Sequence, residues 1–236
     1  MSAITDRIET IDWQSVAQAF QADGFALLPP LLDRATRRDL IALECDDAVF
    51  RTRIDMARYR FGVGRYGYFA NPLPAPVGEL RAGLYPHLAP IANDMMATLG
   101  RDIRYPPTLA AFLERCAEAG QMKPTPLLLR YTAGGHNRLH QDLYGPLAFP
   151  IQAAMLLSDP QQDFSGGAFL LAETAPRQQT RAEAVTLQAG ETILFPTAER
   201  AIPGARGWLR ARMRHGVSRI LGGERYTLGL IFHDAA

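Results

Sequence analysis

The chain has 236 residues, 47% of them hydrophobic and 21% charged, which is the make-up of a globular protein and excludes a disordered or fibrous one. Its 25 Lys plus Arg against 24 Asp plus Glu leave a formal net charge of +1, so no strong general attraction to nucleic acid or anionic membrane is expected, and any polyanion site has to be local. Two cysteines, Cys45 and Cys116, exclude a disulfide framework or zinc cluster and are expected as reduced, partly buried thiols in helices.

The start, Met1-Ser-Ala-Ile-Thr-Asp-Arg7, lacks the basic segment and apolar run of a secretory signal, and no stretch approaches a membrane span. A cytoplasmic protein with no membrane partner is the expectation.

In chain order, Asp12 is placed to cap a helix carrying Trp13, Val16, Ala17 and Phe20 on one face, with Gly24 as its stop. Phe25 to Leu28 reads as a short strand ended by Pro29-Pro30. Asp33 caps a second helix that runs to about Glu44. Leu88, Ile91, Ala92, Met95 and Leu99 stripe a third helix, and Leu109, Phe112, Leu113 and Cys116 a fourth, ended by Gly100 and Gly120 respectively. His87 is expected to open the third helix and face solvent.

Between the second and third helices, Arg51-Thr-Arg53 and the run Arg58 to Phe69 interleave arginines, aromatics and glycines. That mixture, with Arg60 and Arg65 as its central cations, suits stacking on bases and holding phosphates, and equally suits a lid or a packed loop.

From Pro126 the pattern turns to β. Eight short strands are expected: Leu127 to Thr132, Leu139 to Leu143, Ile151 to Leu157, Ala168 to Ala172, Val185 to Leu187, Thr192 to Pro196, Leu209 to Val217 and Tyr226 to Phe232. Leu221-Gly-Gly-Glu224 is expected to be the turn joining the last two. The chain therefore reads as one domain over 1–236, with helical support and a candidate lid in 1–123 and a β core in 124–236.

Three groups carry chemistry. His140 and Asp142 stand two apart, so an extended strand projects both from one face toward one ion. His215 falls on the apolar face of Leu209 to Val217, whose other face carries Arg210, Arg212 and Arg214, a basic stripe able to steer an anion. Two imidazoles and one carboxylate leave one face of a metal open, the arrangement of non-heme Fe(II) oxygenases. Ten residues on, Arg225 offers a planar fork for a carboxylate, and Thr227 adds a hydroxyl on the same face. His136 and His233 could replace a ligand only if the strand register were different.

With these residues the chain resembles the 2-oxoglutarate/Fe(II) dioxygenase superfamily, whose double-stranded β-helix (a jelly roll, cupin-like) carries a His-x-Asp, a distal His and a basic residue about ten positions later. It is similar to the prolyl-hydroxylase-like branch in having Tyr131 nine residues before His140, through Gly134-Gly135, and Ser165-Gly166-Gly167 before an apolar strand. Ala168 stands where that branch commonly has an acid.

Over its whole length the chain looks like a group of bacterial oxygenases labelled by inference as acting on alkylated DNA. Repair demethylases of the AlkB type carry a second arginine six residues after the first, and that position here is Ile231.

The resemblance implies a mainly β fold with an N-terminal helical region, and an enzyme using Fe(II), 2-oxoglutarate and dioxygen. His140, Asp142 and His215 are implied as metal ligands, and Arg225, Thr227 and Tyr131 as 2-oxoglutarate contacts. The expected reaction is hydroxylation of a small-molecule or peptide substrate with release of succinate and carbon dioxide. Tyr144, Arg130, Arg60 and Arg65 are candidate substrate contacts. Oxidative demethylation of nucleic acid is the alternative, and a noncatalytic cupin-like metal or ligand sensor the second.

Overall fold

The computed structural model describes residues 2–160 and 162–236. Its elements in order are α1 (Ala3–Glu9), α2 (Trp13–Asp23), β1 (Ala26–Leu28), α3 (Arg34–Ala42), β2 (Phe50–Asp55), β3 (Gly62–Val63), β4 (Arg65–Phe69), α4 (Ala75–Thr98) and α5 (Leu109–Glu118). There follow β5 (Leu127–Thr132), β6 (His136–His140), β7 (Ile151–Leu156), β8 (Phe164–Gly166), β9 (Phe169–Thr174), β10 (Arg181–Val185), β11 (Thr192–Pro196), β12 (Glu199–Gly204), β13 (Gly207–Val217) and β14 (Ile220–Leu230).

Local signals account for the helix ends. The Asp12 carboxylate accepts from Ser15 N–H at 3.1 Å, and Gly24, at φ +82°, closes α2 by donating its N–H to the Phe20 carbonyl. Asp33 caps α3 in the same way through Thr36 N–H at 2.8 Å. Among the described residues no helix is long and apolar enough to cross a membrane.

The larger antiparallel sheet runs β1-β11-β7-β14-β5-β4-β2, with β8 also on β14; the smaller runs β10-β9-β13-β6-β3, with β12 also on β13. This is the double-stranded β-helix layout. Alternation along each strand divides the apolar side chains between two cores. Ile151, Ala153 and Met155 of β7 face the layer of α4 and α5, where Leu80, Leu84, Leu88 and Phe112 lie buried. Ala154 and Leu156 face inward, among Phe169, Leu171, Phe195, Met213 and Val217 from both sheets.

Several expectations are corrected. The segments 51–53 and 58–69, expected as a base-binding surface, a lid or a packed loop, contribute strands instead: β2 and β4 extend the larger sheet beyond β5, and β3 pairs with β6 through Val63↔His136. Strands from 1–123 thus enter both sheets. Helix α4 begins well before Leu88 and carries Pro86 and Pro90 in its interior; burial of Leu80, Leu84, Leu88 and Ala92 holds those turns despite the lost N–H groups. His87 does not open that helix. Its ring stacks on Trp13 at 4.5 Å and contacts Glu9 at 3.2 Å.

Cys45 is exposed in a single 3-10 turn, whereas Cys116 is buried. Of the expected strand Val185 to Leu187 only Val185 is in a strand, as the last residue of β10, and β8 and β12 add pairings beyond the expected eight. Leu221 to Glu224 lie inside β14, where the register shifts against β8 and Gly223 takes φ +76°; Ser218 and Arg219 make the connection instead.

Candidate active site

Pairing of β13 with β6 and β9 sets His215 opposite both His140 and Leu171. The two imidazoles then stand 4.2 Å apart between ring centres. Strand β6 stops at His140, so Asp142 reaches the cluster from the chain beyond the strand, not from the same strand face. Gln141 secures that departure: its amide donates to the carbonyls of Ala198 and Met213 at 2.8 and 2.7 Å.

Asp142 sits between the imidazoles. His140 Nε2 is 3.4 Å from Oδ1 and His215 Nε2 is 3.2 Å from Oδ2. The other ring nitrogen of His140 lies 2.8 Å from the Arg138 carbonyl, which leaves Nε2 facing the carboxylate. His215 is enclosed by Phe195, 4.6 Å between ring centres, and by Phe169, stacked at 6.0 Å. All three residues bring a ligand atom within 4.8 Å of the others.

The electrostatics suit a cation. Burial pushes the Asp142 carboxyl up, but hydrogen bonds from His140 and His215 outweigh it and hold the group well below the usual carboxylate range. Burial and the neighbouring His140 lower His215. For His140, burial acts downward, yet Asp142 brings the net shift upward. An ionised carboxylate between two imidazole nitrogens is a donor set for a divalent metal with borderline preferences.

A cavity of about 390 Å³ opens over this cluster and runs to Arg225 and Tyr131. Arg225 is 1% exposed, bonds the Thr227 hydroxyl, and is paired with no carboxylate among the described residues. Its Nε has no partner, nor has the buried Tyr131 hydroxyl. Burial lowers the Arg225 guanidinium to about 10, while Tyr131 acts in the opposite sense. Gly167, at φ +66°, permits this placement: a Cβ there would lie 2.9 Å from Arg225 Cδ and 2.3 Å from Ile220.

The candidate substrate contacts divide. Arg60 lines the cavity mouth. Arg65 and Arg130 do not; Arg65 pairs with Glu44, and Arg130 with Glu224. Tyr144 lines the cavity but spends its hydroxyl on Asp142, donating to Oδ1 at 2.6 Å. His136 and His233 stay out of the metal cluster, and His233 accepts from Phe149 N–H at 3.1 Å.

Several cavity residues were missed. Tyr66 and Tyr68 project from β4, and their alternation was the available signal. Gln152, 3% exposed with an unpartnered Nε2, interrupts the apolar run of β7, and that lone amide was the clue. Arg138 joins Arg60 at the mouth.

A family model described as an oxygenase catalysing oxidative methylation of damaged DNA matches residues 64–235. Two uncharacterized Mycobacterium tuberculosis proteins, MT2286 (strain CDC 1551 / Oshkosh) and Rv2227 (strain ATCC 25618 / H37Rv), are each 45% identical over 183 residues, covering 73% of this chain and 78% of theirs. Among solved structures, a 2OG-Fe(II) oxygenase family oxidoreductase from Burkholderia pseudomallei superposes with TM-score 0.58 at 14% identity, over 96% of this chain and 94% of that one. A Pseudomonas putida prolyl-4-hydroxylase superposes with TM-score 0.54 at 14% identity, over 95% and 100%. These two share the fold.

Proposed function

The chain belongs to the Oxygenase-NA family, and we propose that it is an Fe(II)- and 2-oxoglutarate-dependent oxygenase whose residues hold the components as follows. His140, Asp142 and His215 hold the iron. Arg225, Thr227 and Tyr131 hold 2-oxoglutarate, and a C–H bond of an organic substrate is hydroxylated in the cavity above them.

The observation that carries this assignment is Arg225. A guanidinium buried to 1% exposure with no acid beside it is costly, by several kcal/mol, unless a ligand supplies the countercharge. The Thr227 hydroxyl and the free Tyr131 hydroxyl flank it, so a carboxylate entering the cavity meets three donors. A dicarboxylate fits better than a monoanion, since its other end would face the His140–Asp142–His215 cluster across the same cavity.

When bound, iron and 2-oxoglutarate supply dioxygen activation, with succinate and carbon dioxide as products. The protein's own contribution is placement and exclusion of water. Arg225 fixes one end of the co-substrate as a two-pronged donor. Phe169 and Phe195 hold the His215 ring in a dry wall, and Leu127 and Leu129 line the cavity opposite.

One observation favours nucleic acid as the substrate carrier. Arg60 and Arg138 stand at the mouth with no acid paired to either among the described residues, beside a Tyr59–Phe61 stack with both rings about half exposed. Cations next to exposed rings suit phosphates and bases. The family description points the same way, whereas Ile231 is buried and offers no second arginine.

The test is succinate release by Fe(II)-loaded protein, alone and with alkylated single-stranded DNA, undamaged DNA or a peptide pool. Succinate formation that a chelator abolishes is expected. Its absence under every condition would overturn the proposal, and stimulation by the alkylated strand alone selects the nucleic-acid reading.

A further inference from the structure

We infer that Tyr144 is a positioning residue that holds Asp142 to ligation through a single oxygen; this rests on the assignment of His140, Asp142 and His215 as the metal ligands. The Tyr144 hydroxyl donates to Asp142 Oδ1 at 2.6 Å. Oδ2 faces His215 Nε2 at 3.2 Å with no other partner among the described residues, whereas Oδ1 is shared between the phenol and His140 Nε2 at 3.4 Å. Apart from the two imidazoles, Tyr144 is the one side chain among the described residues with a hydrogen bond to this carboxylate.

The consequence is chemical. A carboxylate can offer a cation one oxygen or two. If two imidazoles and one carboxylate oxygen held the ion, room would remain on it for a chelating keto acid and dioxygen, and a second carboxylate oxygen would take part of that room. A short phenol hydrogen bond occupies lone-pair density on Oδ1 and leaves Oδ2 as the better donor.

Packing holds the phenol to this task. Its ring meets the Tyr68 ring edge-on at 6.0 Å, and the buried His233 ring lies 6.0 Å away. Tyr68 in turn meets Tyr66 edge-on at 5.4 Å, so β4 forms a wall behind Tyr144. Just beyond it, the Tyr144 carbonyl accepts from Ala236 N–H at 3.2 Å. The side chain therefore serves the carboxylate, although it lines the cavity.

The experiment measures binding of Mn(II) alone to the full chain, following free Mn(II) by electron paramagnetic resonance, in the wild type, Tyr144→Phe, Tyr68→Phe and His215→Ala. Near-UV circular dichroism and the melting temperature report the fold. Tyr144→Phe keeps the ring and should weaken Mn(II) binding roughly 10- to 100-fold, the usual effect of removing such a partner. It should also reduce the change that added 2-oxoglutarate makes in the bound Mn(II) spectrum. Tyr68→Phe removes a hydroxyl that meets Tyr144 but keeps the Tyr144 hydroxyl on Asp142, and should stay within about threefold of wild type, well short of the effect of removing the carboxylate's own partner.

Wild-type affinity in Tyr144→Phe, with binding lost in His215→Ala, would overturn the role of Tyr144 alone. Equal losses in Tyr144→Phe and Tyr68→Phe would also overturn it, by pointing to general packing. Wild-type affinity in His215→Ala would instead overturn the metal assignment on which the inference stands.

Discussion

Arg225 and Tyr131 face each other across the β14–β5 ladder as register partners, the guanidinium carbon 5.9 Å from the phenol ring centre, and neither Arg225 Nε nor the Tyr131 hydroxyl has a protein partner. Two buried polar groups open toward one cavity are the donors to which the proposed function assigns the carboxylate of 2-oxoglutarate. Replacing Arg225 with Leu should therefore have opposite effects on ligand and fold. Removing one partner of a buried charge pair costs about 2–5 kcal/mol, so 2-oxoglutarate binding should weaken roughly 100-fold or more. The ligand-free melting temperature should hold or rise, because an uncompensated buried charge is gone. Calorimetric titration of 2-oxoglutarate and thermal melts check both, and unchanged affinity would remove Arg225 from the site.

Gln152 also lines the cavity. It pairs in register with Phe195, whose ring packs 4.6 Å from His215, and its Nε2 is unpartnered. An unsatisfied buried donor costs about 1–3 kcal/mol in the empty protein. Gln152→Leu should thus leave stability equal or higher while lowering succinate formation at least tenfold, an order-of-magnitude expectation from removing one hydrogen-bonding group. Activity at the wild-type level would mean that Gln152 touches no reactant.

The candidate site was legible because its residue types are rare in combination. His140, Asp142, His215 and Arg225 line one cavity, although Asp142 reaches it from beyond the end of β6 and not from the strand face that carries His140. What failed was local geometry. Glycine marks a turn and a strand bulge alike, so Gly222-Gly223 read as a turn although the pair lies within β14. Three glycines, Gly62, Gly64 and Gly67, masked the alternation of Tyr66 and Tyr68 that places β4 in the sheet. Prolines at 86 and 90 hid the first half of α4, whose turns are held by buried side chains distant in sequence. Hydrogen bonds from Tyr144 to Asp142 and from Gln141 to Ala198 and Met213 depend on where strand β6 stops, which no spacing records.

Arg60 and Arg138 supply a separate test of the substrate carrier. Both line the mouth and neither pairs with an acid among the described residues, whereas Arg65 is engaged by Glu44. If single-stranded DNA docks there, the double variant Arg60→Ala/Arg138→Ala should bind it more weakly. The slope of log affinity against log salt should fall by about 0.7 for each phosphate that is no longer neutralised. Arg65→Ala is the control and should leave the slope alone. Fluorescence anisotropy over a salt series separates these cases, and an unchanged slope in the double variant would place any nucleic-acid docking elsewhere.

His233 should make the fold acid-sensitive. The ring is fully buried, its Nδ1 accepts from Phe149 N–H, and its Nε2 has no partner. Burial, reinforced by Arg81 and opposed by Asp142, lowers its pKa from 6.5 to about 4. The unfolded chain therefore takes up this proton near pH 6.5 while the folded chain resists until about pH 4, so stability is full above pH 6.5 and falls as the pH drops through that window. The loss from this one group approaches about 3 kcal/mol. His233→Asn keeps an acceptor for Phe149 N–H but cannot titrate. It should be less stable than wild type at pH 8 through poorer packing, and the gap should narrow by about 3 kcal/mol by pH 4. Denaturant melts of both proteins across that range measure the gap, and a constant difference would assign the acid sensitivity to other groups.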